Sequence, residues 1–162
     1  MAVFAVSALV SLYFMQYQLA AIAGFLFAFV LYTHYKHSSV LLASKYFKNA
    51  EYDKAEEILA EVGNPDRLAR NRRGYYEFMR ANIALQRDDF ETAEFHFQIA
   101  SRFPLGGKND KAFVLIHLAN LALRKKDAER AKAYVEKAKE LATSSRAQEI
   151  IKIIEKEANG FA

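Results

Sequence analysis

The chain has 162 residues, of which 52% are apolar and 26% charged, with 6 glycines, 2 prolines and no cysteine. This length allows one domain of ordinary size, and the absence of cysteine excludes a disulfide framework, a zinc–thiolate site, an iron–sulfur cluster and a cysteine nucleophile. The few glycines and prolines exclude a collagen-like chain and argue against an all-β protein rich in turns. The net charge of +4 does not by itself demand a nucleic-acid partner.

The first part of the chain is uncharged. Residues 1–35 contain no Asp, Glu, Lys or Arg, and every charged side chain follows from Lys36 onwards. Because the hydrocarbon core of a bilayer, about 30 Å thick, takes about 20 helical residues, residues 1–35 are predicted to form a membrane anchor. Gln16-Tyr17-Gln18 separates the apolar runs Val3–Met15 and Leu19–Tyr32, which favours an N-terminal transmembrane helical hairpin. A single span with an interfacial extension is the alternative.

A cleavable signal peptide is a second alternative for this segment. Ala21-Ile22-Ala23 has the small-x-small form of a cleavage site. The residues after it remain strongly apolar, however, and no Lys or Arg precedes it. The anchor is therefore the preferred interpretation.

The basic residues behind the apolar runs predict the orientation of the anchor. Lys36, Lys45 and Lys48 come directly after the second run, and nothing basic precedes the first run beyond the chain amine. The positive-inside rule then predicts that the charged body lies on the cytoplasmic side.

The charged body repeats itself at a constant offset, the one that separates Ala43 from Ala81 and Ala81 from Ala119. Each repeat has two amphipathic segments separated by a polar break, and breaker-rich segments at 63–66 and 103–107 separate the repeats. The pattern predicts an all-α fold, an α-solenoid of three helix pairs in units of about 38–69, 74–107 and 110–143, in which small residues let paired helices approach closely. The aligned sets are Ala43/Ala81/Ala119, Phe47/Leu85/Leu123, Asp53/Glu91/Glu129, Ala55/Ala93/Ala131, Leu59/Phe97/Val135 and Val62/Ala100/Ala138.

The three units resemble the tetratricopeptide repeat (TPR) family, whose repeats are helix–turn–helix units with small residues at fixed positions. The 38-residue spacing departs from the usual 34, and first-helix aromatics are weaker in units two and three. The resemblance covers about residues 38–143. Together with the anchor predicted over residues 1–35, it suggests a membrane-anchored bacterial-type TPR protein, at an inner or plasma membrane. It is carried by Leu42, Ala43, Tyr46, Tyr52, Ala55, Leu59 and Val62 in unit one, Ala81, Phe90, Ala93, Phe97 and Ala100 in unit two, and Leu118, Ala119, Ala131, Val135 and Ala138 in unit three.

A last helix, over residues 145–158, is predicted to cap the solenoid. Ser145 followed three residues later by Gln148 matches a capping box. A polar outer face on such a helix keeps the end of a repeat array soluble. The predicted apolar stripe consists of Ala147, Ile150, Ile151 and Ile154.

Motifs that carry catalysis are missing from the sequence. There is no HExxH and no nucleophile elbow, and Gly106-Gly107-Lys108 lacks the strand and the spacing of a phosphate loop. His34 and His37 share a helix face without a further ligand nearby, His117 lies in an apolar segment typical of packing or of a groove, and His96 is given no role. We expect no enzymatic activity, no cofactor and no metal.

The family resemblance implies that the first helices of the units line a concave groove that binds segments of partner proteins. Asn82 and Asn120 are equivalent residues, one repeat apart, whose amides can pair with a guest backbone. The alternative is that Phe113 and Ile116 are simply core residues, or that the anchor or the cap covers them. The predicted groove residues are Phe47, Lys48, Tyr75, Phe78, Asn82, Gln86, Phe113, His117, Asn120 and Arg124.

The densest basic cluster consists of Arg67, Arg70, Arg72 and Arg73. Near an anchor it is a candidate contact for anionic lipid headgroups, at about 1 kcal/mol for each basic residue. A solvated loop is the alternative interpretation. A nucleic-acid partner is not expected, because only Tyr75 and Tyr76 place aromatic rings beside the cluster.

Together these features predict a membrane-anchored TPR scaffold or adaptor that mediates protein–protein interaction at the cytoplasmic face of a membrane. The alternative is a small permanent accessory subunit of a larger membrane complex for translocation, secretion or respiration. In either case the expected partners are proteins, of unknown identity, and the lipid bilayer.

Overall fold

The computed structural model describes residues 17–160, apart from the side chains of residue 17 and residues 33–38. Over this range the chain is helical and contains no strand, which agrees with the predicted all-α solenoid. The elements are α1 (Tyr17–Lys48), α2 (Tyr52–Ala60), a 3₁₀ turn (Pro65–Arg67), α3 (Arg70–Gln86), α4 (Phe90–Ala100), α5 (Lys108–Arg124), α6 (Ala128–Lys139) and α7 (Ser145–Gly160).

The turns inside the three helix pairs share one geometry. Ala50, Asp88 and Lys126 are equivalent residues of successive units, and their φ angles are 60°, 57° and 59°. The next residue in each turn donates its N–H over 3.0 Å to a carbonyl five residues back, as in Glu51 to Tyr46. This pattern is a Schellman C-cap, which satisfies the last carbonyls of the first helix. The repeat of the sequence is therefore also a repeat of the backbone.

The second helices of units two and three begin at acidic N-caps. The Asp89 carboxylate accepts the N–H of Thr92 at 3.1 Å, and the Asp127 carboxylate accepts the N–H of Arg130 at 3.0 Å. In unit one the equivalent residue is Glu51, whose side chain makes no such bond. A shorter carboxylate reaches the orphan N–H groups of the first turn more readily.

The alanines of the repeat lie where the paired helices cross. The two sets, Ala43/Ala81/Ala119 and Ala55/Ala93/Ala131, are all 0% exposed. Leu59, Phe97 and Val135 are also buried and fill the spaces between helices. Because a larger residue at an alanine position would push the helices apart, these positions hold the pairs at close range.

Helix α7 caps the array and packs on both α5 and α6. Its buried side chains are Ala147, Ile151, Ile154 and Ala158, and Ile150 is half-buried beside them. The predicted capping box is wrong by one residue: Ser144, and not Ser145, caps this helix, because the Ser144 hydroxyl accepts the N–H of Ala147 at 3.3 Å. Ser145 is already the first residue of the helix.

Helix α1 is continuous from Tyr17 to Lys48 and passes residues 35 and 36, the predicted domain boundary, without a break. The first arm of the predicted hairpin falls on residues 1–16, outside the described residues. Along the second arm, Leu19, Ile22, Phe25 and Phe29 are more than half exposed. Within the described part of the chain, none of the helices combines the length and the hydropathy that a membrane span requires.

Candidate functional site

The predicted groove residues follow the register of the repeat on the first helices α1, α3 and α5. One position is occupied by Lys48, Gln86 and Arg124, which are all exposed and are called the terminal row. Four residues earlier lie Ser44, Asn82 and Asn120, which are called the amide row. Because residues four apart share a helix face, the two rows form one polar strip across the three units.

The amide row differs between units in how its side chains are engaged. Asn82 is half-buried, and its Nδ2 donates to the carbonyl of Phe78 at 2.7 Å. Ser44 donates similarly to the carbonyl of Leu41 at 2.7 Å. Asn120 is exposed. The Asn82 amide therefore uses a donor within its own helix, while its Oδ1 is the group suited to accept from a guest.

Aromatic rings predicted for the groove instead form a ladder through the array. The ring centroids of Phe47 and Phe78 lie 6.1 Å apart, and those of Phe78 and Phe97 lie 6.3 Å apart. Phe78 packs against both hydrophobic clusters of the core. Edge-to-face rings at these distances stabilise packing. Phe47 and Phe78 are therefore mainly structural residues that join the units.

His117 ends this ladder rather than lining an open surface. Its ring stacks on Phe97 with centroids 4.8 Å apart. The equivalent residue in unit two is Met79, which is 1% exposed and packs in one cluster with Leu59, the equivalent of Phe97. Burial lowers the pKa of His117, because a desolvated imidazolium is disfavoured. The structure thus assigns His117 to packing between units.

Tyr75 and Phe113 occupy one register position but have different roles. The Tyr75 hydroxyl accepts the N–H of Gly106 at 3.1 Å and donates to Asp110 at 3.4 Å, so it holds the loop between units two and three. Burial raises the pKa of Tyr75. Phe113 is half-buried and packs against the larger core cluster. Both residues keep part of their surface accessible, since Tyr75 is 37% exposed and Phe113 is half-buried.

A comparison with models of protein families identifies the family of this chain. The family described as the SusR N-terminal TPR domain matches residues 27–153, which include most of α1, the whole of α2 to α6 and most of α7. The chain belongs to this TPR family. No curated protein and no solved structure is significantly similar to it. TPR domains are in general non-catalytic modules for protein–protein interaction.

The TPR units are also joined by ion pairs that follow the same register. Arg87 of unit two pairs with Glu56 of unit one at 2.5 Å, and at the equivalent positions one repeat later Lys125 pairs with Glu94 at 2.6 Å. Arg130 adds a bond of 3.0 Å to Glu94. The hydrogen bond from Lys125 is the main reason why the pKa of Glu94 is lowered. These pairs were not predicted from the sequence, although the repeat offset would have aligned them.

The basic cluster of the TPR domain divides into outer and inner arginines. Arg67 and Arg70 are exposed, and Arg72 is half-buried. Arg73 does not belong with them, because its guanidinium lies 2.9 Å from the carboxylate of Glu77 and 3.3 Å from that of Asp66. Only 13% of the Arg73 side chain is exposed, so its predicted contact with lipid headgroups has little surface to rest on.

Glu77 is the most deeply buried charged residue of the described chain, at 2% exposure. Its second oxygen lies 2.5 Å from Nδ1 of His96 on α4. Arg73, Glu77 and His96 therefore link the loop before α3 to both helices of unit two. His96 has no role in the sequence-based prediction, because its acidic partner is 19 residues away in the chain. In the sequence, only the four-residue spacing of Arg73 and Glu77 indicates part of this cluster, because it is the spacing of an ion pair on one helix face.

Proposed function

We propose that this TPR domain is a scaffold that holds a segment of a partner protein along its polar strip. The observation that carries the proposal is the repetition of exposed polar side chains at one register position, Lys48, Gln86 and Arg124, beside the amide row. Side chains repeated at the unit spacing suit an extended guest, which presents peptide groups at regular intervals. Membership of the TPR family supports this kind of partner.

The strip offers a defined chemistry to such a guest. The Oδ1 of Asn82 can accept a backbone N–H, and the amide of Asn120 can both donate and accept. Lys48 and Arg124 carry the formal charges of the strip, and both are positive. An acidic or polar segment is therefore the favoured class of guest.

Site-specific photo-crosslinking in the producing cell tests this proposal. A photoreactive residue at position 120 or 86 should yield one crosslinked protein species. The matched control is position 137, because Lys137 is also exposed but lies on the second helix α6. Equal crosslinking from position 137 would contradict the strip as the binding surface.

The size and the stoichiometry of the complex after detergent extraction then distinguish an adaptor from a permanent accessory subunit. An adaptor should run as a small particle after detergent extraction, and its partner should dissociate. A permanent accessory subunit of a translocation, secretion or respiratory complex should run at high mass with its partner in fixed ratio. We propose the adaptor.

We further propose that residues 1–35 attach the domain to the cytoplasmic face of a membrane. This proposal is supported by the absence of charge over those residues and by the exposed apolar side chains at the start of α1. By the register of the repeat, Arg70 of α3 corresponds to Tyr32 at the end of the uncharged stretch. Arg67 and Arg70 are therefore the proposed contacts with anionic headgroups.

Vesicle flotation tests the attachment. The full-length chain should float with vesicles, whereas a variant that lacks residues 1–35 should remain behind and keep its helical circular dichroism. Folding should survive because Val40 and Ala43, the buried residues described for α1 in unit one, are retained. Loss of helical signal would show that the segment belongs to the fold. A reporter fused after Ala162 that is active only outside the cytoplasm should stay silent.

A further inference from the structure

A cleft of about 450 Å³ opens between the turn that ends α1 and the end of α3. The residues that line it include Tyr52 and Gln86, and Gln86 belongs to the terminal row. The ring of Tyr52 is half-buried, and it contacts Phe47 edge to face at 5.6 Å. The cleft therefore presents an aromatic ring beside the polar strip.

The junction between units two and three has the same parts, displaced by one repeat. Phe90 takes the place of Tyr52, Arg124 the place of Gln86, and Lys125 the place of Arg87. There the guanidinium of Arg124 lies 3.8 Å from the centre of the Phe90 ring. Contact at this distance is a cation–π interaction, in which the ring face attracts the positive group. The chain thus covers the second ring with its own arginine.

Gln86 cannot cover Tyr52 in the same way, because an amide is uncharged and shorter than a guanidinium group. The first junction therefore keeps an open cleft at the position that Arg124 fills in the second. The difference between the two junctions lies in one side chain on a shared backbone arrangement. It indicates which chemical group the open cleft accommodates.

Carboxylates at the rim can assist a guest cation. Glu51 is bonded to Lys54 at 2.6 Å, and Asp53 is bonded to Arg87 at 3.0 Å. The Asp53 side chain is 96% exposed. A carboxylate has about four lone-pair sites, so each can accept a second donor while it keeps its present partner. The ring and these free lone pairs offset the nearby positive charges of Lys54 and Arg87.

We propose that the cleft between Tyr52 and Gln86 receives an arginine side chain of the partner protein, stacked on Tyr52 as Arg124 is stacked on Phe90. This inference rests on the proposed function, because it names one anchor residue of the segment that lies along the polar strip. It adds a basic anchor to a guest that is otherwise polar or acidic.

A pair of short peptides tests the assignment. The probe is acetyl-Gly-Ser-Arg-Ser-Gly-amide, and the control contains citrulline, which has nearly the same shape without the charge. Both are titrated into the ¹⁵N-labelled full-length protein in a nonionic detergent. The arginine peptide should shift the amide signals of Tyr52 and Gln86 and bind roughly two- to fivefold more tightly than the control, as expected for an exposed cation–π contact. Equal affinity of the two peptides would overturn the assignment.

Two variants give each junction the side chain that the other junction has at the equivalent position. Gln86→Arg should place a guanidinium over Tyr52 and abolish the peptide shifts, with the rest of the spectrum unchanged. Arg124→Gln should open a second cleft and add shifts at Phe90. Peptide binding that survives Gln86→Arg, or no new shifts in Arg124→Gln, would overturn the assignment.

The crosslinking experiment and the peptide titration can contradict the two proposals separately. Specific peptide binding without a crosslink from position 120 would leave the cleft assignment intact and contradict the strip as a partner surface. A crosslink from position 120 without discrimination between the peptides would contradict the cleft assignment alone.

Discussion

The imidazole of His117 lies flat on the ring of Phe97, with 8° between the two planes. The stack joins α5 of one unit to α4 of the unit before it. One unit earlier, Met79 and Leu59 share a cluster at the equivalent positions, so a histidine has replaced a thioether in a packing role. Such a replacement adds a titratable group to an otherwise apolar junction.

We predict that this histidine makes the stability of the domain depend on pH. Burial lowers the pKa of His117 in the folded state, so the unfolded chain binds a proton more readily. The neutral His117 side chain therefore contributes its full stability above the pKa of the unfolded chain, about 6.5, and this stability is lost as the pH falls through the pKa of the folded state. In the wild type the melting temperature should therefore fall as the pH is lowered from 8 to 5, and His117→Met should reduce this fall. At pH 8 the substitution should change the free energy of unfolding by less than about 1.5 kcal/mol.

Thermal unfolding followed by circular dichroism at pH 8, 6 and 5 measures the effect. His96→Gln is a useful control, because His96 is the other histidine whose side chain the structure describes in the helical units. An unchanged pH dependence in His117→Met would mean that another group dominates acid destabilisation above pH 5.

We predict that Gly74→Ala destabilises the domain although alanine favours helices by about 1 kcal/mol. Gly74 is buried inside α3, and a Cβ atom there would lie 2.7 Å from the carbonyl oxygen of Pro104. The loop between units two and three would have to move, at a cost of about 1–3 kcal/mol. Gly63→Ala is the matched control, because its added Cβ would meet no atom within 4 Å. Equal melting temperatures for the two variants would show that the loop yields freely.

We predict strong coupling between Arg73 and Glu77. Glu77→Leu should cost about 3–5 kcal/mol, because it leaves the largely buried guanidinium without its main partner. Two nitrogens of Arg73 are already buried without a hydrogen bond. Unit three has Leu115 at the position of Glu77, so the backbone accommodates leucine there. Arg73→Met combined with Glu77→Leu should therefore be more stable than Glu77→Leu alone.

A double-mutant cycle in urea measures this coupling. The free energies of unfolding of the wild type, the two single variants and the double variant are compared, with His96 unchanged throughout. Simple additivity would mean that the two residues act independently and that the buried pair has no special role.

The sequence predicts the repeat well and the orientation of individual side chains less well. Alanine at a helix crossing is required by close packing, so the sets at 43, 81 and 119 identify the crossings directly. For His117 the apolar segment predicts either packing or a groove, because a position on α5 alone does not distinguish a neighbouring helix from solvent. Comparison with Met79 in the register resolves this ambiguity, since methionine there indicates a buried position.

Long-range polar partners could not be predicted in this way. Arg73 and Glu77 are four residues apart, a spacing equally typical of an exposed pair on a helix surface. Helix α4 brings His96 against Glu77 from 19 residues away, a contact that the spacing does not predict. Charge density alone therefore groups Arg73 with Arg67, Arg70 and Arg72. The structure separates it by its pairing with Glu77 and Asp66.

The amide row yields the last prediction, which separates binding from folding. Asn120 is exposed, so Asn120→Ala removes a group that lies on the surface where the guest is proposed to bind, and not in the core. Partner binding should weaken by about tenfold, the usual scale of one hydrogen bond lost at an interface, while the melting temperature stays within about 2 °C. Ala93→Leu is the opposite case: Ala93 is 0% exposed at a helix crossing, and the larger residue should cost about 1–3 kcal/mol of stability.

Binding is measured with the partner identified by crosslinking and is expressed per folded molecule, so that the loss of folded protein in Ala93→Leu does not count as a loss of affinity. If Asn120→Ala lowers the melting temperature as Ala93→Leu does and leaves affinity unchanged, the amide row is structural. The binding surface would then have to lie on the second helices or at Arg67 and Arg70.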